Sequence, residues 1–112
     1  MARKPCKLTV SYTTKAEGTL DEIWERNARQ DGRDHARRYI EFLHAETDKL
    51  ETDYLRGRRV PTRLDYRHIT IKRRTKGHGH VAVYEIISDT VQILDYFHTA
   101  QDWQNKFAGE QG

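Results

Sequence analysis

Histidine supplies a group that titrates near neutral pH, and arginine supplies a fixed cation that grips phosphate or carboxylate through paired hydrogen bonds. Both crowd into one part of this 112-residue sequence: His68, Lys72, Arg73, Arg74, His78 and His80, with His98 further on. His68, Lys72 and Arg74 recur at even spacing in YRHITIKRR (Tyr66 to Arg74), so they share a face if that stretch is a strand. Such a set can take a proton from a hydroxyl, return one to a leaving oxygen and hold a charged phosphate between them. His68, Lys72, Arg74 and His98 are the candidates to carry that chemistry. His78-Gly79-His80 sets two imidazoles at i and i+2, a spacing able to share a metal ion. No cysteine or carboxylate with ligand spacing accompanies them, so no metal is expected, and no cofactor is implied.

The overall charge of +3 conceals a division along the chain. Residues 13–55 hold seven Lys/Arg against eleven Asp/Glu, a balance of −4, whereas residues 56–80 hold nine Lys/Arg against Asp65 alone, a balance of +8. Arg58, Arg59, Arg63, Arg67, Lys72, Arg73, Arg74 and Lys76 therefore form an expected basic surface, suited to a phosphate backbone or to an acidic polypeptide.

The elements that must position these groups follow from periodicity. Lys7 to Tyr12, KLTVSY, alternates as a short strand. Thr14 and Glu17 have capping-box spacing, and Ala16, Leu20, Ile23 and Trp24 then share one face of a helix that Gly32 stops. Ala36, Tyr39, Ile40, Leu43, Thr47 and Leu50 mark a second helix from near Asp34, and the short link makes an antiparallel helical hairpin. Trp24 and Tyr39 fall on these apolar stripes and are assigned to the core.

Residues 53–64, with Gly57 and Pro61 among arginines, read as a loop. Tyr66 to Arg74 resumes as a strand with Ile69 and Ile71 toward the helices, leaving a polar and cationic row on the opposite face. Val81 to Ile87 and Val91 to Phe97 form two further strands about a Ser88-Asp89-Thr90 turn. Both are apolar on both faces, as inner strands are when helices cover one side and a loop or partner covers the other. The expectation is an α+β domain over residues 1–112, order β-α-α-β-β-β, with the helical hairpin on a small antiparallel sheet and a polar tail from about 106.

One domain of this length builds one modest core. The single cysteine, Cys6, excludes an internal disulfide and fits a reducing compartment. No apolar run approaches membrane-span length, and MARKPCKLTV has no signal-peptide core, so a cytoplasmic protein without a membrane partner is expected.

Three pieces, TLDEIWERNA (Thr19 to Ala28), HARRYIEFLHAETDKL (His35 to Leu50) and ILDYFHTAQDW (Ile93 to Trp103, with His98 and Asp102), together resemble the RelE/ParE superfamily of type II toxins. The resemblance covers Leu8 to Trp103. It implies a growth-inhibiting toxin held by a cognate antitoxin whose acidic, partly disordered segment wraps it as a hetero-oligomer. It further implies one of two targets: the ribosome with its mRNA, for RelE-like endoribonucleases, or DNA gyrase, for ParE-like members. The nuclease arginine of the third strand falls by ungapped matching at Ala82, ahead of Val83-Tyr84, and the lysines of the preceding strand fall near His68 and Thr70. The C-terminal arginine and tyrosine have no match around Ala100 to Trp103. A methyl group cannot stabilise a phosphorane, and the Asp-Glu-Ile-Trp string is more similar to the ParE branch. The expectation is thus a gyrase poison rather than an enzyme. The alternatives are a ribosome-dependent mRNA interferase and a non-toxic basic nucleic-acid-binding module.

Overall fold

The computed structural model describes residues 7–74 and 77–111, with side chains as far as Phe107. Cys6 and Lys76 lie outside the described residues. The chain runs β1 (Thr9–Tyr12), α1 (Thr14–Asp31), α2 (Arg33–Asp48), a 3-10 turn (Lys49–Glu51), β2 (Arg58–Val60), β3 (Arg63–Ile71), β4 (His80–Ile87), β5 (Thr90–His98) and α3 (Trp103–Gln111).

Thr13 rather than Thr14 caps α1. Its Oγ1 accepts the Ala16 N–H at 3.0 Å and donates to Leu94 O at 2.9 Å, which ties the helix start to β5. Gly32, at φ 93°, ends α1 by donating to Ala28 O and immediately begins α2, so the helical hairpin turns on one residue.

The strands form one sheet in the order β1-β5-β4-β3-β2. The helical hairpin with a sheet on one face is as expected, but the all-antiparallel sheet is corrected at one edge, where β1 pairs with β5 in parallel. The reason is the hairpin itself. It returns the chain to the end where β1 begins, Leu8 N–H meeting Glu51 O at 2.6 Å, so β3 sets out from that end too. After β3, β4 and β5 the last strand again points along β1. A second correction concerns residues 53–64, which contain β2. Its Arg58 and Arg59 pair with His68 and Arg67, and β3 begins at Arg63 and stops at Ile71, so Lys72, Arg73 and Arg74 lie past the strand.

Two apolar clusters sandwich the sheet. Leu20, Leu43 and Leu50 from the helical side meet Ile69, Ile71, Ala82, Tyr84 and Ile93. On the other face Val60, Tyr66, Val81, Val83 and Phe97 surround Phe107. The expected bare cationic row and polar tail are therefore both corrected: residues 103–111 form α3, whose Phe107 is fully buried and covers that face. Burying one large ring against residues of four strands outweighs the polarity of its neighbours. Trp24, expected in the core, is only half-buried and stands outside both clusters.

Candidate functional site

An open cleft of about 1270 Å³ lies between α1 and the end of the sheet where β3 stops and β4 begins. Lys15, Thr19, Ile23 and Arg26 line it from α1, and Tyr39 lines it from α2. Arg73, Arg74, His78 and His80 enter from the β3–β4 connection, and Asp95 and His98 from β5. Its cations, Lys15, Arg26, Arg73, Arg74 and Lys106, outnumber its carboxylates, Glu22 and Asp95, so the cleft favours anions.

The histidines meet because of a β-bulge. From Ile87–Thr90 to Tyr84–Ile93 the β4–β5 pairing is regular, but a shift between Val83 and Tyr84 leaves Leu94 without a partner and sets His80 opposite His98. Without that extra residue His80 would face Phe97. The His80 and His98 rings cross at 89° with centroids 5.3 Å apart, and the His78 ring lies 5.3 Å from His98. Between His78 and His80 the backbone of Gly79 runs so close to the Ile71 carbonyl that an added Cβ would overlap it. Beyond the bulge Asp95, almost fully buried, accepts from Thr19 Oγ1 at 2.6 Å and from Tyr96 N at 2.8 Å, joining α1 to β5.

Burial, then the adjacent His98 ring and the Arg26 guanidinium, holds the His80 imidazole down at about 4. Burial, with His78 and Arg26 behind it, lowers His98 as well. Burial pushes the Tyr39 hydroxyl up to about 12 against the opposing pull of Arg73. At neutral pH Tyr39 is therefore the donor and His80 Nδ1 the acceptor in their 2.5 Å hydrogen bond, which puts the His80 proton on Nε2.

The sequence candidates are divided by this geometry. His98 and Arg74 line the cleft, whereas His68 is on the opposite face, its ring 4.7 Å from that of Trp103, and burial with Arg58 lowers its basicity. Lys72 is exposed past the end of β3. The basic surface also splits. Arg59 donates to Leu64 O and Arg67 to Gly57 O, while Arg63 sits 4.4 Å over the Tyr66 ring, so these arginines brace the β2–β3 hairpin with Arg58 beside them. Arg73 and Arg74 alone of the described set reach the cleft. Sequence reasoning missed Arg26 and Asp95, while Tyr39 packs against the first core as expected and lines the cleft as well. The helical spacing of Arg26 was a signal, but the bulge that brings His80 and His98 together had none. Among the described residues no group of three or more His, Cys, Asp or Glu is placed to hold a metal ion.

A helical hairpin on a five-stranded mixed sheet is also the fold of a chain in the chromosomal ParDE TA system from P. aeruginosa. The two share a TM-score of 0.70 and 19% identity, over 82% of this chain and 96% of that one. None of the curated proteins matches the sequence. The match to the family described as ParE toxin of type II toxin-antitoxin system, parDE, spans residues 10–103. The chain belongs to that family, on the ParE branch of the RelE/ParE superfamily, and its role is that of a toxin component. Among the described residues no helix is long and apolar enough to cross a membrane.

Proposed function

We propose that this toxin inhibits growth in the cytoplasm by binding and poisoning DNA gyrase, and that a cognate antitoxin neutralises it by laying an acidic, partly disordered segment into the cleft between α1 and the sheet end. The observation that carries the antitoxin reading is the charge of the cleft, where Arg26, Arg73, Arg74 and Lys15 stand around a channel open to solvent. A disordered acidic chain gains affinity there from ion pairs and from apolar side chains against the half-buried Ile23. Support for a target other than RNA comes from Ala82. The position that matches the nuclease arginine is fully buried under the helices, where no substrate phosphate has room.

A competing reading, a ribosome-dependent mRNA interferase, is favoured by one observation: His80, His98 and Arg74 share a cleft. One experiment separates the two. The chain is expressed with and without the small acidic reading frame expected beside its gene, and gyrase-mediated DNA cleavage and transcript ends are mapped in parallel. Growth arrest with DNA breaks, intact mRNA and rescue by the neighbour is expected. Cut transcripts with unbroken DNA would overturn the gyrase reading. Arg26→Glu with Arg74→Glu should weaken antitoxin binding by tenfold or more, and unchanged affinity would remove the cleft as its seat.

A further inference from the structure

The histidine cluster contributes little to either apolar core, yet its rings are held in place. Tyr39 Oη–H occupies Nδ1 of His80, the Ala100 N–H donates to Nδ1 of His98 at 3.1 Å, and Thr99 Oγ1 lies 3.5 Å from Nδ1 of His78. The Nε2 positions of all three rings are unengaged among the described residues. The three residues line the same cleft as Arg26. Such an arrangement fixes the rings while leaving one nitrogen of each for something that enters.

We propose that His78, His80 and His98, with Arg26 at the rim, form a seat for a carboxylate side chain of the acidic antitoxin segment, and that the seat takes up protons as the carboxylate docks. This rests on the cleft being the antitoxin groove. A polypeptide fits better than a small anion because the lining residues of α1, from Lys15 to Gln30, extend about 22 Å along the helix at 1.5 Å per residue. Glu22 from α1 and Asp95 from β5, lining the same cleft, disfavour a dianion such as phosphate.

The direction of the linkage follows from what faces the rings. From the β3–β4 connection come Arg73 and Arg74, from α1 Arg26, Lys15 and Glu22, and from α3 Lys106. Tyr39 and His35 come from α2, and Asp95 from β5 is already engaged by Thr19 and Tyr96. In the free toxin burial, then the neighbouring ring and the Arg26 guanidinium, keep His80 and His98 in the neutral form at pH 7. An incoming carboxylate accepts from Nε2–H and favours the charged ring, and the added proton goes to an Nδ1 whose partner is a hydroxyl able to turn and accept it, as Thr99 Oγ1 is at His78, so binding absorbs protons. Affinity then rises as pH falls, by up to about tenfold per pH unit for each proton taken up.

Titration calorimetry of the full toxin with its purified antitoxin tests this at pH 7, in phosphate and in Tris. The difference in enthalpy between the two buffers should report uptake of about one proton, and Kd should fall at least about tenfold from pH 8 to pH 6. His78→Asn with His98→Asn, shown folded by circular dichroism, should weaken binding at pH 6 and lose the pH slope. A Kd independent of pH, or a slope that survives in the double variant, overturns the inference. If Arg26→Glu and Arg74→Glu weaken binding while no proton is absorbed, the groove stands and only the proton-linked seat falls. If those reversals leave binding untouched, the groove falls with it. Inorganic phosphate shifting the His78 and His98 proton resonances as far as antitoxin does would overturn the carboxylate assignment.

Discussion

Replacing Phe107 with alanine isolates what the C-terminal helix contributes. The ring is fully buried and meets Tyr66 and Phe97 edge-on, with centroids 5.5 Å and 6.1 Å away. A phenylalanine of this kind buries about 150–200 Å², worth roughly 4–5 kcal/mol at ~25 cal/mol/Å², and alanine keeps a small share of that. The expected cost is about 3–4 kcal/mol, within the usual range for such truncations. It has a ceiling. A helix of nine residues is marginal by itself, so once the loss equals its docking free energy α3 simply detaches. With a urea slope of about 1–1.5 kcal/mol/M, the unfolding midpoint followed by circular dichroism should fall by roughly 2–4 M, or by about 1–2 M if α3 detaches first. Trp24→Phe leaves Trp103 as the only tryptophan, and its emission should move to the red in native buffer as it leaves His68 and Phe97. Gln104→Ala, at an exposed position of the same helix, should change neither reading. A midpoint within about 0.3 M of the parent together with unshifted Trp103 emission would refute the view that α3 closes the second core.

His80 should make the free toxin sensitive to acid. Its folded value of about 4 lies below the ordinary 6.5, so stability is complete above 6.5 and is lost as pH falls toward 4, because the unfolded chain binds the proton first. The ceiling is about 3 kcal/mol, and partial exposure of the ring reduces it to roughly 1–2. Urea midpoints at pH 7.5 and 4.5 should therefore differ less in His80→Gln than in the parent, and equal slopes would contradict the assignment. Gly57→Ala should lower the melting temperature by roughly 5–15 °C, because its methyl overlaps the Tyr84 phenol that accepts the Gly57 N–H at 2.9 Å. By contrast Gly18→Ala, exposed within α1 with nothing nearby, should stabilise by about 0.5–1 kcal/mol in the same assay. Thr13→Ala removes the α1 cap and its bond to Leu94 and should cost about 1–2 kcal/mol in urea unfolding, whereas Thr14→Ala should cost little.

Local pattern alone determined β1, the two helices of the hairpin and the strands β3 to β5. The stripe from Ala36 to Leu50 could be satisfied only by a helix with one face covered, Gly32 could only end one helix beside the next, and Ile69 and Ile71 pointed at the helices because a strand alternates strictly. The family was legible too, since order and spacing of helices and strands survive in the sequence. What escaped depends on contacts between distant segments. The parallel β1 edge follows from where the helical hairpin delivers the chain, and α3 follows from a single aromatic whose value as an anchor is set by Tyr66 and Phe97, far away in sequence. The site was decided the same way. The histidines and arginines were visible, but a side-chain period of two turns a one-residue bulge into an exchange of faces. Leu94 therefore determines that His98 joins His80 in the cleft, whereas His68 goes to the opposite side by plain alternation with Ile69 and Ile71.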